Sequence, residues 1–310
     1  MLVVLAALLF SVHLICVHIA SIAPLVAIWF DWKEGGGNEL AGRVGKRLLL
    51  QSVGFLLLGG TLGLLLGWLV WSPEFHQALQ RLSSKVFYGV WELLFSLALV
   101  LLCWFWQSRR PGGSAARWGR SFLLVLAGTN LIYHFPVLFA VIRRVAEGAV
   151  AGEAALTSAQ FREQLVQGDI LAKLLHFTLA SAAVCGAWLL MMAERENPED
   201  SKQVIRWGAR FSLNAVLLQF PAGFWLLTKL SRTAQNQLLG GNLLAMGMMG
   251  VSLGLAFWLL HELAELAGGR LARGRRAVLL MAISRPRKRM VTLTLSPWPK
   301  NLRAAFIFTS

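Results

Sequence analysis

The chain has 310 residues, of which 56% are hydrophobic and 15% charged, with a mean hydropathy of +0.60 and a net charge of +15. Soluble domains carry about 25% charged residues, so this apolar surplus has to face something other than water. Several runs reach the roughly 20 apolar residues that cross a bilayer, and short segments of alternating hydrophobicity are missing. The expected fold is therefore all-α: a polytopic transmembrane bundle of about seven spans, not a closed barrel.

The spans fall at roughly 3–30, 47–71, 86–106, 120–142, 171–193, 209–229 and 239–266. The first lacks a basic leader, and its apolar run is twice the length of a signal-peptide core, which makes it a helix to be retained. Residues 1–268 form the expected bundle, and 269–310 form a basic tail. Cys16, Cys103 and Cys185 each lie inside an apolar run, with no CxxCH or CxxC pairing, so they are expected to be buried free thiols.

Charge orients the bundle. Lys33, Arg43, Lys46 and Arg47 follow span one, Arg109, Arg110, Arg117 and Arg120 follow span three, and Arg195, Lys202, Arg206 and Arg210 follow span five. The positive-inside rule then places the N-terminus outside and the C-terminus in the cytoplasm of a bacterial-type inner membrane. The tail adds ten lysines and arginines with no acidic residue, its densest cluster being Arg285, Arg287, Lys288 and Arg289. Attraction to anionic lipid accounts for this charge, and no nucleic-acid motif accompanies it, so no nucleic-acid partner is expected. Without an amphipathic period, the tail reads as disordered.

Three related tripeptides open even-numbered spans: Arg43-Val44-Gly45, Arg117-Trp118-Gly119 and Arg206-Trp207-Gly208. His134-Phe135-Pro136 in span four is echoed by Gln219-Phe220-Pro221 in span six. Either arginine anchors with a close-packing glycine or an old hairpin duplication would produce this pattern. Between spans four and five, Thr157 and Gln160 form a capping-box pair ahead of Phe161 and Leu165, which predicts a short amphipathic helix on the outer surface.

The candidate site rests on intramembrane histidines. At 1.5 Å per residue, His13 lies about 15 Å and His18 about 20 Å from the outer end of span one. His134 lies about 13 Å below the outer surface on span four by the same rise, and His176 is nearer that surface on span five. Ionisable residues at such depth are costly and mark sites, although a single histidine also serves as a packing residue between helices. Haem b requires two axial ligands from separate helices in an apolar slot, and neutral imidazole suits iron. His13 or His18 opposite His134 meets that requirement, as does His13 opposite His176. Five residues, or about 140° around the helix, separate His13 from His18, so the two cannot share one face.

Arg81, Arg143 and Arg144 are candidate partners for haem propionates, with interfacial snorkelling as the alternative. Glu92 and Tyr133 are candidates for proton exchange with a quinone, and Lys85 is a candidate partner for Glu92. Met246, Met248 and Met249 suit copper(I) less well than they suit helix packing. The resulting expectation is a membrane b-haem electron-transfer subunit linking quinol to a periplasmic redox protein or to other subunits of a membrane complex. It is similar in kind to membrane b-type cytochromes generally, with no specific motif. A proton- or ion-coupled transporter and a non-catalytic membrane anchor are the alternatives.

Overall fold

The computed structural model describes residues 2–69, 71–109, 112–152 and 154–270, and all regular structure among them is helical. Ten α-helices follow in order: α1 (Leu2–Gly35), α2 (Glu39–Leu69), α3 (Pro73–Arg81), α4 (Ser83–Arg109), α5 (Ser114–Ala146), α6 (Ser158–Leu165), α7 (Gly168–Met192), α8 (Pro198–Lys229), α9 (Arg232–Asn236) and α10 (Leu243–Ala267). Seven of them, α1, α2, α4, α5, α7, α8 and α10, are long and apolar enough to cross a bilayer, which makes the chain a multi-pass membrane protein. Beyond Arg270, the basic tail lies outside the described residues.

Local chemistry sets the helix ends. Ser72, Asn197 and Asn242 each use a side-chain oxygen to cap a backbone N–H three residues on, and Pro73 and Pro198 occupy first-turn positions where no donor is lost. The anticipated outer helix is α6. Thr157 and Gln160 close a reciprocal capping box at its start. The last span begins at Leu243, a few residues later than the hydrophobicity alone indicates. Its approach is broken by a π-turn at Gln237–Gly241, where Gly240 takes φ 137°, a conformation open to glycine.

Helix α1 is the hub and packs against α2, α5 and α7. One core joins α1, α2, α7 and α8 through Phe30, Val44, Leu48, Leu189 and Trp207, and a second joins α1, α2, α4 and α5 through Ala27, Leu49, Cys103 and Leu124. A third, around Val141, Ile142 and Ile170, ties α3 and the 147–157 loop onto α5 and α7. The three cysteines are buried and unpaired.

The repeated glycines are packing positions. A Cβ on Gly45 would lie 2.8 Å from Phe30 Cβ, one on Gly119 3.1 Å from the Trp106 ring, and one on Gly208 2.6 Å from the Gly186 carbonyl oxygen. Small residues at these crossings let backbones approach closely, so close packing accounts for the pattern without an appeal to duplication.

At the end of the bundle where α1 finishes, an ion pair is sealed inside. Arg120 on α5 donates through Nε and Nη2 to Asp31 on α1 at 2.9 and 2.8 Å, and the two residues are 1% and 3% exposed. Gln107 on α4 bridges Asp31 to Glu34, and Lys46 on α2 pairs with Glu34 at 3.2 Å. Four spans thus meet at one polar knot. Removing one member of such a pair strands a buried charge, which costs about 3–5 kcal/mol. Arg120→Ala should therefore lower the thermal midpoint of the detergent-solubilised protein sharply. Arg120→Met combined with Asp31→Leu should recover most of that loss, and a double variant as unstable as the single one would contradict this assignment.

Candidate functional site

The antiparallel pairing of helices sets the depth of each histidine. Leu25 of α1 packs over Gly128 of α5, where a Cβ would meet the leucine side chain at 2.7 Å. His18 lies seven residues before that crossing and His134 six residues after it, so both stand about 10 Å from it on the same level. The α4–α5 crossing adds a third group. Asn130 of α5 donates to Ser96 of α4 at 2.8 Å, and Gly89 packs on Leu138. Glu92, between Ser96 and Gly89, therefore stands level with His134.

Hydrogen bonds assign the tautomers of two rings. His13 Nδ1 lies 2.8 Å from the Gly59 carbonyl oxygen of α2. A carbonyl only accepts, so Nδ1 carries the proton and Nε2 of the neutral ring keeps its lone pair. His18 Nδ1 lies 2.8 Å from Ser181 Oγ, and that hydroxyl donates its one proton to the Phe177 carbonyl at 2.9 Å. His18 must therefore donate to the serine, which again leaves Nε2 as a bare lone pair. The chain of two bonds is half-buried against α7, where Ser181 itself is fully buried, and the Phe177 ring tilts against the imidazole at 4.7 Å between centroids. Anchoring one ring nitrogen so that the other is aimed is how proteins prepare a histidine to ligate.

The other two rings are less constrained. His176 Nδ1 is buried with no hydrogen-bond partner among the described residues, and its ring faces Gly223 of α8. His134 is half-buried, with Tyr133 edge-on at 5.2 Å. Among the described residues, no three His, Cys, Asp or Glu side chains converge as a metal-binding group. A haem asks for less than that, since one or two imidazoles suffice.

The remaining candidates go to structural partners or stay open. Arg81 is buried and donates to the carbonyls of Val150, Ala151 and Ala154 at 3.0–3.1 Å. Arg144 pairs with Asp169 at 2.8 Å and with Gln164, whereas Arg143 is 73% exposed and pairs with Glu147. Lys85 does not reach for Glu92; it donates to Ser158 at 2.8 Å and lies over the Phe161 ring. The backbone carbonyl of Glu92 accepts from Asn130 at 2.9 Å, and its half-buried carboxyl makes no hydrogen bond among the described residues. Tyr133 is 45% exposed, and Met246 and Met248 are exposed on α10. Sequence reasoning missed Ser181 and Gly59, the second-layer partners of the histidines. A hydroxyl and a carbonyl inside apolar helices carry no signal of their own.

The chain matches no protein-family model, no curated protein and no solved structure.

The Arg81 bonds have a direct consequence. With three loop carbonyls held by one guanidinium, Arg81→Ala should free the 147–157 segment and open it to limited proteolysis, leaving the spans intact. Unchanged cleavage kinetics would show that the segment is held by its apolar contacts alone.

Proposed function

We propose that the chain is a membrane electron-transfer subunit that holds b-type haem between α1, α5 and α7. The observation that carries this reading is the hydrogen bonding of His18: its Nδ1–H is fixed by Ser181, which is itself fixed by the Phe177 carbonyl, so the neutral ring keeps its lone pair on Nε2. The unpartnered Nδ1 of His176 supports it, because a buried imidazole nitrogen without a partner is costly unless something ligates it. In this reading His18 and His134 would hold the haem iron, and His13 and His176 would hold or flank a second group. Bound haem would supply one-electron redox chemistry.

The residues around it divide the remaining work. Glu92, level with His134 and lacking a side-chain partner, accepts the proton released when a quinol is oxidised, and Tyr133 lies beside that path. Arg143 and Arg144 are the cations available to propionates, Arg144 already partly neutralised by Asp169. With the N-terminus outside, α3, α6 and the 147–157 loop form the periplasmic face toward a redox partner. The basic ends of α1, α5 and α8 then lie in the cytoplasm.

A reduced-minus-oxidised absorption spectrum of the purified protein tests this directly. The wild type should show a sharp b-haem band, and His18→Ala and His134→Ala should each abolish it. Ser181→Ala should keep the band while weakening haem retention by about 10–100-fold, the usual cost of losing an outer-shell partner. Full haem binding in both histidine variants would overturn the ligand assignment. A membrane-impermeant thiol reagent checks the orientation: it should label Glu163→Cys in intact cells and leave Lys202→Cys unlabelled.

A further inference from the structure

At the opposite end of the bundle from α6, the first turns of α8 line an open cleft of about 520 Å³ formed by Glu199, Lys202, Gln203, Arg206, Trp207 and Arg210. Lys202, Arg206 and Arg210 recur at four-residue spacing, so they rise along one face of the helix. Lys202 is paired with Glu199 at 2.8 Å, whereas Arg206 and Arg210 have no carboxylate partner among the described residues. Asp200, one residue from Glu199, pairs with Arg43, and Glu265 pairs with Arg270. The lining of the cleft therefore carries a clear positive excess.

The cleft also has an apolar side. Trp207, 6% exposed, lines it, and its indole meets Trp29 of α1 edge-on at 5.5 Å, with Lys33 Nζ 5.6 Å above the ring. Phe211, one turn deeper on α8, packs edge-on against Trp29 at 5.3 Å, and Trp29 itself is 37% exposed on the flank of the bundle. The basic mouth is thus continuous with an aromatic wall that runs toward the hydrocarbon level. Two arginines lining one cleft with an indole, at the boundary of an apolar helix, match a phosphodiester oxyanion attached to something greasy.

We infer that this cleft binds the phosphate of an anionic phospholipid headgroup, with the acyl chains lying along Trp29 and Phe211. The ligand chemistry is a phosphate ester oxyanion held by Arg206 and Arg210, and a free phosphate is the other source of it. The inference is independent of the haem reading and uses none of its residues.

Fluorescent short-chain phosphatidylglycerol, its phosphatidylcholine counterpart and inorganic phosphate serve as probes for the full chain in neutral detergent. A basic residue at the membrane surface is worth about 1 kcal/mol, so Arg206→Gln with Arg210→Gln should weaken phosphatidylglycerol binding about thirtyfold. Arg206→Lys with Arg210→Lys should retain most of it, and Arg109→Gln, which removes a cation stacked on Phe105 elsewhere at the same end, should change nothing. Phosphatidylglycerol binding well above phosphatidylcholine, undisturbed by inorganic phosphate, supports a lipid site. Displacement by inorganic phosphate at comparable affinity would overturn the lipid and leave a soluble-anion site. Equal binding in the glutamine double variant and the wild type, which are distinguishable by thermal midpoint if either misfolds, would overturn the site altogether.

Discussion

The pair between Asp31 and Arg120 constrains everything above it. A carboxylate and a guanidinium, both almost fully removed from solvent, hold α1 against α5 in one rotational setting and one register. Apolar side chains in lipid do little to choose between registers, because hydrocarbon tails are as apolar as leucine. A bidentate ion pair does choose, since a slip of one residue would strand two buried charges. Gln107 and the Glu34–Lys46 pair extend the same constraint to α4 and α2. The common level of His18 and His134 follows from this registration of α1 on α5.

The histidines show the opposite use of polar groups. Around Arg120 the carboxylate, guanidinium and amide groups are directed at one another, whereas around His18 the bonds end in a lone pair. Ser181 is the pivotal group: an alanine there would leave both ring nitrogens equivalent, and the imidazole could turn over. Its hydroxyl serves the backbone of its own helix, as serines in apolar helices commonly do, and the histidine receives what remains. A routine packing habit of α7 thereby fixes the state of a side chain on α1.

Much of the fold was legible from the chain itself. Seven long apolar runs, the Thr157–Gln160 capping box and the buried thiols need only local composition and spacing to be seen. Arg120 counts in the sequence among the orienting charges, because it sits in a basic cluster at a helix start. Its burial depends on Asp31, some ninety residues away, and no one-dimensional pattern links the two. The bonds of Arg81 are hidden for the same reason, since backbone carbonyls some seventy residues away leave no mark in the sequence. For the site, the depth of the histidines could be counted along each helix, but the tautomers could not. Those depend on a serine and a glycine carbonyl contributed by other helices, which become visible only once the helices are placed side by side.

The seventh long helix is attached unlike the others. Its buried residues, Leu263 and Leu266, lie in its last turns against α8, while its first turns face outward and follow a π-turn hinged at Gly240. Three of the hydrophobic cores close without it, and the fourth, in which Leu190, Ala209 and Val216 meet Leu263 and Leu266, is completed only when α10 is added. In a chain made from the N-terminus onward, that ordering separates assembly into two stages. Most of the six-helix body can pack in the bilayer while the last helix is still leaving the ribosome, and that helix then docks through its second half, from Phe257 on Phe220 to Leu266.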